Sequence, residues 1–283
     1  MRLTLMYAVV VLACAATPAL ASGPPAPTSP EGVVTAFYYP WFATITEDGD
    51  YAHWAQYGHL PPNDISSVYY PALGVYSSDD PSVLDDVAYL APLGIRTFFV
   101  YQAFTLPPAS WAEANDALHV QGYVTYADTA LVGQAVSGHF TGVYTYDIVT
   151  WTGAKFARIC AQAHRHHLLC APSVGPGYDA RRAIGDPTVK PRRGGLTYDS
   201  MWHAAIRSGA DAVTITSFNE WQEGTQIEPA APPDWRGLYR YASYNGAWGL
   251  TGRAAEAAYL DRTAFWISRF LPIQEAQSYP VST

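Results

Sequence analysis

Positive charge is scarce in this chain: Lys and Arg together number 16 against 24 Asp and Glu, a formal net charge of −8 over 283 residues. Such a balance offers little to meet nucleic-acid phosphates, so no nucleic-acid partner is expected. The one basic cluster, Arg181-Arg182 with Lys190, Arg192 and Arg193, brackets a loop containing Gly and Pro. It reads as an ion-pairing or wall element, with a phosphorylated sugar ligand as the alternative. Cysteine is nearly absent, at three. Cys14 lies close to the N-terminus, which leaves Cys160 and Cys170. An oxidising compartment allows that pair to bridge, but a helix and the strand it feeds do not guarantee the Cα separation a bridge needs. Also missing are a Gly-rich phosphate loop, a zinc motif, a Ser-His-Asp order and an internal repeat, so no cofactor is expected. His164, His166 and His167 crowd one stretch, yet no carboxylate stands at ligand spacing; they read as a solvated helix end, and no metal is expected.

Apolar and aromatic residues are plentiful, at 49% and 14%, with 21 Tyr and 9 Trp. A chain of this length buries one sizeable core, and Tyr and Trp also suit sugar sites because each ring joins an apolar face to a polar tip. Residues 1–21 carry Arg2, an apolar run to Cys14 and then Ala19-Leu20-Ala21. That is the pattern of a secretory signal peptide, too short to span a bilayer as a mature helix, and it predicts a secreted protein. Val11-Leu12-Ala13-Cys14 also fits a lipoprotein box loosely, so a lipid anchor at Cys14 is the alternative, and the only route to a membrane. Residues 22–32 form a Pro/Ser-rich spacer, 33–275 a single catalytic domain and 276–283 a tail.

Strands are expected at 33–39, 95–101, 123–127, 142–146, 168–174 and 212–216, with helices at 81–93, 109–120, 153–167, 198–208 and 254–270. Strands alternating with helices give an α/β fold of (β/α)8 TIM-barrel type, incomplete at about six recognisable βα units. The organising stretch is TITSFNEWQEGTQIEP at 214–229. A buried β-branched run stops there and delivers Glu220 and Glu223 to its C-terminal end, where barrels keep their active sites. Two close glutamates repel when both are ionised, so one keeps a proton near neutrality and an acid can stand beside a base. With an indole, Trp221, to stack on a sugar face, this suits glycosidic cleavage.

The run SFNEWQEGTQIEP, with AFYYPW at 36–41, PNDISSVYYPALGVYSS at 62–78 and PSVGPGY at 172–178, resembles glycoside hydrolase family 99, the endo-α-mannosidase and endo-α-mannanase family. The resemblance implies a retaining endo-glycoside hydrolase on α-mannan-like oligosaccharides or polysaccharides containing α-1,2-mannosides. Glu223 would be the acid/base, and Glu220 would draw the proton from the sugar's 2-hydroxyl, which displaces the aglycone through a 1,2-anhydro intermediate. Substrate contacts are expected from Tyr38, Tyr39, Trp41, His53, Trp54, Tyr144, Tyr146, Tyr178, Asn219 and Trp221. Two departures stand out: two early βα units look absent at the join 81–87, and Gln222 stands where the family usually has His. The absent units leave a non-catalytic or decayed carbohydrate-binding homologue as the alternative.

Overall fold

The computed structural model describes residues 10–13, 33–39, 41–78, 97–120, 122–233 and 235–278. The apolar, β-branched runs form strands, and those in the middle of the sheet are covered on both faces. Strand β1 is Val10–Ala13, β2 Val33–Tyr38, β3 Thr97–Val100, β4 Val124–Asp128, β5 Gly142–Thr145, β6 Leu169–Val174 and β7 Ala212–Ile215. All of β5 and β7 is buried, as is β6 after its first residue, which is why these segments read as continuous apolar runs without polar alternation.

The sheet runs β1-β2-β7-β6-β5-β4-β3. From β2 to β3 every pairing is parallel: Val33 opposite Ala212, Val174 opposite Ile215, Val143 opposite Cys170, Ala127 opposite Val143 and Phe98 opposite Thr125. The first and last strands of the domain are therefore neighbours, as barrel closure requires. Six parallel strands curl into an incomplete (β/α)8 barrel. Strands β2 and β3 end the parallel run without pairing with each other, and aromatic rings fill the space between them. Phe37 of β2 meets Phe99 of β3 edge to face at 6.4 Å, and Tyr144 packs on both rings at 5.6 and 5.3 Å.

Helix α1, Pro108–Val120, and α2, Val132–Ser137, connect the early strands. Helix α3, Gly153–Arg165, buries Phe156, Ile159, Cys160 and Ala163, a stripe with helical spacing that faces the sheet. Helix α4, Leu196–Arg207, packs beside it through Met201 and Ala204. A Cβ on Gly153 would stand 2.7 Å from that of Ala204, so glycine permits the approach. The last helix, α5, Ala258–Ser278, is tied to α4 by Arg262, which donates twice to Asp199 at 2.7 Å. These elements follow the expected order with most boundaries moved by one or two residues; the last helix, expected at 254–270, is instead a short helical turn Arg253–Glu256 followed by α5, which runs eight residues further.

Strand β1 lies within the segment read as a leader and pairs antiparallel with β2, Val10 opposite Tyr38; cleavage after Ala21 would uncover that edge. The helix expected at 81–93, the spacer and the end of the tail lie outside the described residues. His164 Nε2 donates to the Asp211 carboxylate at 2.8 Å, so the histidine stretch has a carboxylate partner brought in from the start of β7.

Cys160 of α3 and Cys170 of β6 form a disulfide across Cα atoms 5.2 Å apart. It closes a loop with a sequence separation of ten, and loops of about that size stabilise a fold by roughly 2–3 kcal/mol through the unfolded chain. Urea denaturation of a Cys160→Ser, Cys170→Ser variant should show a loss of about that size with little change in the slope.

Candidate active site

At the end of β7 the chain turns back on itself. The Ser217 amide donates to the Thr225 carbonyl and the Ile227 amide to the Ser217 carbonyl, both at 2.9 Å. Residues 217–228 thus form a closed loop anchored at the barrel mouth, and three glutamates ride on it. Glu220 is 4% exposed and Glu228 6%, while Glu223 lines a cleft of about 360 Å³ with Tyr101, Tyr146, Asp147, Tyr178 and Thr216. That volume suits a small ligand or one sugar unit of a chain.

Burial is the first cause acting on all three carboxyls, since a low-dielectric interior disfavours the ion. Glu220 is held well above its ordinary value of 4.5 by burial and then by the charge of Glu223, against the amides of Gln222 and Glu223, which donate to it. Glu223 is pushed up to about 7 by burial, partly offset by the hydroxyl of Tyr146, which donates to its Oε2 at 3.0 Å. Glu228 is also pushed up to about 7 by burial, with Tyr76 Oη and Trp221 Nε1 donating to its Oε2 at 2.8 Å each. Among the described residues no basic side chain pairs with any of them.

A short relay of hydroxyls reaches the cleft: Tyr39 donates to Tyr146 at 2.5 Å, and Tyr146 to Glu223. Tyr39 feels both acids, whose charges add to burial in raising its own phenol. Behind it, Asn219 clamps the Tyr39 backbone, accepting from its amide at 2.7 Å and donating to its carbonyl at 3.1 Å. The loop after β2 and the loop after β7 are thereby locked together.

The expected substrate contacts divide in three. Tyr146 and Tyr178 line the cleft, the latter donating to Asp186 at 3.0 Å. Tyr39, Trp41 and His53 form one stack, with Trp41 4.5 Å from each neighbouring ring; burial lowers the His53 pKa and keeps its ring neutral. Trp54, Tyr144, Asn219 and Trp221 do not contact the cleft. Each is at most 1% exposed; Trp54 and Trp221 spend their N–H groups on Tyr76 and Glu228, and Tyr144 belongs to the barrel filling. The expectation that Trp221 stacks on a sugar is therefore corrected: its ring is a buried strut. Tyr38 ends β2, but its side chain lies outside the described residues. Gln222 donates to the His53 carbonyl at 2.6 Å, binding the acid loop to the aromatic stack without a titratable group.

Sequence reasoning missed Tyr101, Asp186 and Thr188 as cleft lining and Glu228 as the third buried acid. Glu228 stood inside the quoted motif, and its signal was an acid between Ile227 and Pro229 in an otherwise apolar run. Of the basic cluster, Lys190 reaches the cleft wall, where its Nζ donates to the Ile148 carbonyl near Asp147. Arg181 pairs with Asp179 at 2.6 Å and Arg182 with Asp64 at 2.5 Å, while the charged residues that line the cleft are Asp147, Asp186 and Glu223.

The sequence profile of glycosyl hydrolase family 99 matches residues 86–271. The chain belongs to this family. A glycoprotein endo-alpha-1,2-mannosidase-like protein of Danio rerio is 27% identical over 316 aligned positions, covering 69% of this chain and 70% of the relative. The glycoprotein endo-alpha-1,2-mannosidase of Rattus norvegicus is 23% identical, covering 70% and 68%. The structure of the family 99 endo-alpha-mannosidase from Bacteroides thetaiotaomicron superposes with a TM-score of 0.72 at 26% identity, covering 85% of this chain and 97% of that one. This family 99 protein is accordingly a glycoside hydrolase, and its substrate is a glycan.

Glu228 predicts a pH dependence of stability. Its folded pKa of about 7 lies above the ordinary 4.5, so the folded state holds the proton more tightly; stability is whole below the ordinary value and is lost as pH rises through about 7. At about 1.4 kcal/mol for each pH unit the loss is roughly 3 kcal/mol. Denaturation at pH 4.5 and 8 should show that Glu228→Gln, which keeps an oxygen for Tyr76 and Trp221, removes about that much of the decline. In a carbon-13 titration of labelled glutamate, Tyr146→Phe should raise the Glu223 pKa above about 7, because the lost hydroxyl stabilised the carboxylate.

Proposed function

We propose that this protein is an exported, retaining endo-acting hydrolase that cuts α-mannoside chains containing α-1,2 linkages, with Glu223 and Glu220 as its catalytic pair. The observation that carries the reading is a carboxyl of about pKa 7 facing the cleft while a second carboxyl is held behind it in reach of its charge. A general acid works best when its pKa lies near the working pH.

Glu223 protonates the departing glycosidic oxygen. Glu220, whose carboxylate accepts from two backbone amides, takes the proton of the sugar's 2-hydroxyl, and that oxygen displaces the aglycone to form a 1,2-anhydro sugar. Glu223, now ionised, draws a proton from water, which opens the anhydro ring at the anomeric carbon; the 2-oxygen takes its proton back from Glu220, and the two inversions retain configuration. Because each ion raises the other's pKa, the pair enters the cycle with one proton shared between two carboxyls. Tyr146 and Tyr178 border the sugar, and the Tyr39-Trp41-His53 stack forms the adjoining wall. The likeness to the rat endo-alpha-1,2-mannosidase and the bacterial endo-alpha-mannosidase supports the α-mannoside and the linkage. The leader pattern and the Cys160–Cys170 disulfide fit export to an oxidising compartment, with a lipid anchor at Cys14 as the variant of that route.

Incubation with an α-1,2-linked manno-oligosaccharide should release reducing ends whose first-formed anomer is α. Activity should fall as pH rises through about 7, since the acid must carry its proton, and Glu223→Gln should lose about 10²–10⁴-fold. Binding without turnover in the parent protein would replace the enzyme reading with a carbohydrate-binding one, and a β first product would overturn the retaining mechanism.

A further inference from the structure

Arg192 is a cation in an unusual place. Its Nε and Nη1 are sealed from solvent, and among the described residues no carboxylate pairs with it. Its guanidinium instead lies over the rings of Tyr69, Tyr244 and Tyr259 at 4.6, 4.8 and 4.6 Å. A desolvated charge is costly without strong partners, and three aromatic faces supply part of the compensation. Two carbonyls add to it: Nη2 donates to Gly224 at 2.9 Å and to Gln226 at 2.7 Å.

Those carbonyls belong to the acid loop. Over 224–228 the backbone alternates, with the amides of Thr225 and Ile227 turned toward Glu220 and Ser217. The carbonyls of Gly224, Gln226 and Glu228 turn the other way. Arg192 holds the first two, and Tyr244 Oη donates to Gln226 at 3.1 Å and Glu228 at 2.8 Å. No backbone amide of the loop does this work from the outer side. The arginine is itself fixed: its carbonyl accepts from Gly195 at the start of α4, and a Cβ on Gly177 would lie 2.7 Å from its Cγ.

We infer that Arg192 is a positioning residue of the reaction, a guanidinium in a three-tyrosine cage that grips the carbonyls after Glu223 and so sets that carboxyl against Tyr146 and the cleft. It touches no reacting atom. The inference rests on Glu223 being the acid, and displacement of a catalytic group by about 1 Å can cost on the order of 10²-fold in rate.

The test compares the full-length protein with Arg192→Gln and Arg192→Lys on an α-1,2-linked manno-oligosaccharide, with carbon-13 titration of the Glu223 carboxyl alongside. Arg192→Gln should lower kcat about 10–100-fold with KM within about threefold. A looser loop lets water reach Glu223, so the alkaline limb of the pH profile and the measured pKa should both move down from about 7. Arg192→Lys, which keeps charge and donors but not the planar fork, should recover part of both. Should Arg192→Gln fail to fold, Tyr244→Phe, which removes only the hydroxyl on the same carbonyls, should move the same two readouts in the same direction by less. A lowered melting temperature with kcat, pH limb and Glu223 pKa unchanged would overturn the inference and leave Arg192 a packing residue. A parent protein that does not hydrolyse the substrate sinks the proposed function instead, and the Glu223 titration then still decides the role of Arg192.

Discussion

Three carboxyls share one loop, Glu220 and Glu228 buried and Glu223 at the cleft, with no cation among the described residues to meet them, and most of the local architecture follows from that constraint. Glu220, Glu223 and Glu228 are each raised by burial, and each is supplied with neutral donors in place of a counter-ion: backbone amides for Glu220, Tyr146 for Glu223, Tyr76 and Trp221 for Glu228. A neutral donor satisfies the oxygen without driving ionisation as far as an arginine would. The outcome is a set of acids raised above the ordinary carboxyl range, Glu223 and Glu228 to about 7, which suits proton transfer to a glycosidic oxygen at a cost in stability as pH rises.

Holding such groups in register needs rigidity from every side. Asn219 fastens the loop after β7 to the loop after β2, Gln222 fastens it to the backbone at His53, and Arg192 and Tyr244 hold its outward carbonyls. The aromatic excess serves this purpose as much as sugar contact. Trp54, Trp221, Tyr76 and Tyr144 are buried rings whose polar ends or bulk support the acids, and Tyr39, Trp41, His53, Tyr146 and Tyr178 are the rings that reach the mouth. The cleft itself presents carboxylates and hydroxyls, a lining suited to neutral glycans.

The incomplete barrel accommodates this because the site is built where closure survives. Strands β2 and β7 are hydrogen-bonded neighbours, so Tyr39 and the acid loop share one end of the sheet. Among the described residues no strand pairs between β2 and β3, and there Phe37, Phe99 and Tyr144 pack against one another.

Much of this was legible in the residues alone. Periodicity located the six parallel strands because buried strands are continuous apolar runs, and the acid loop announced itself as charge at the end of such a run. The resemblance to family 99 came from contiguous motifs, which a chain carries in one dimension. What could not be read was which face each side chain would take in the loops, because outside regular elements direction is decided by partners far away in sequence. Trp221 points inward because Glu228 and Tyr76 are there to receive it, and Asn219 serves Tyr39, 180 residues earlier. By sequence Arg192 reads as part of an ion-pairing or wall element among other basic residues. Only the tertiary structure, by enclosing it with Tyr69, Tyr244 and Tyr259, made it the outer clamp of the acid loop.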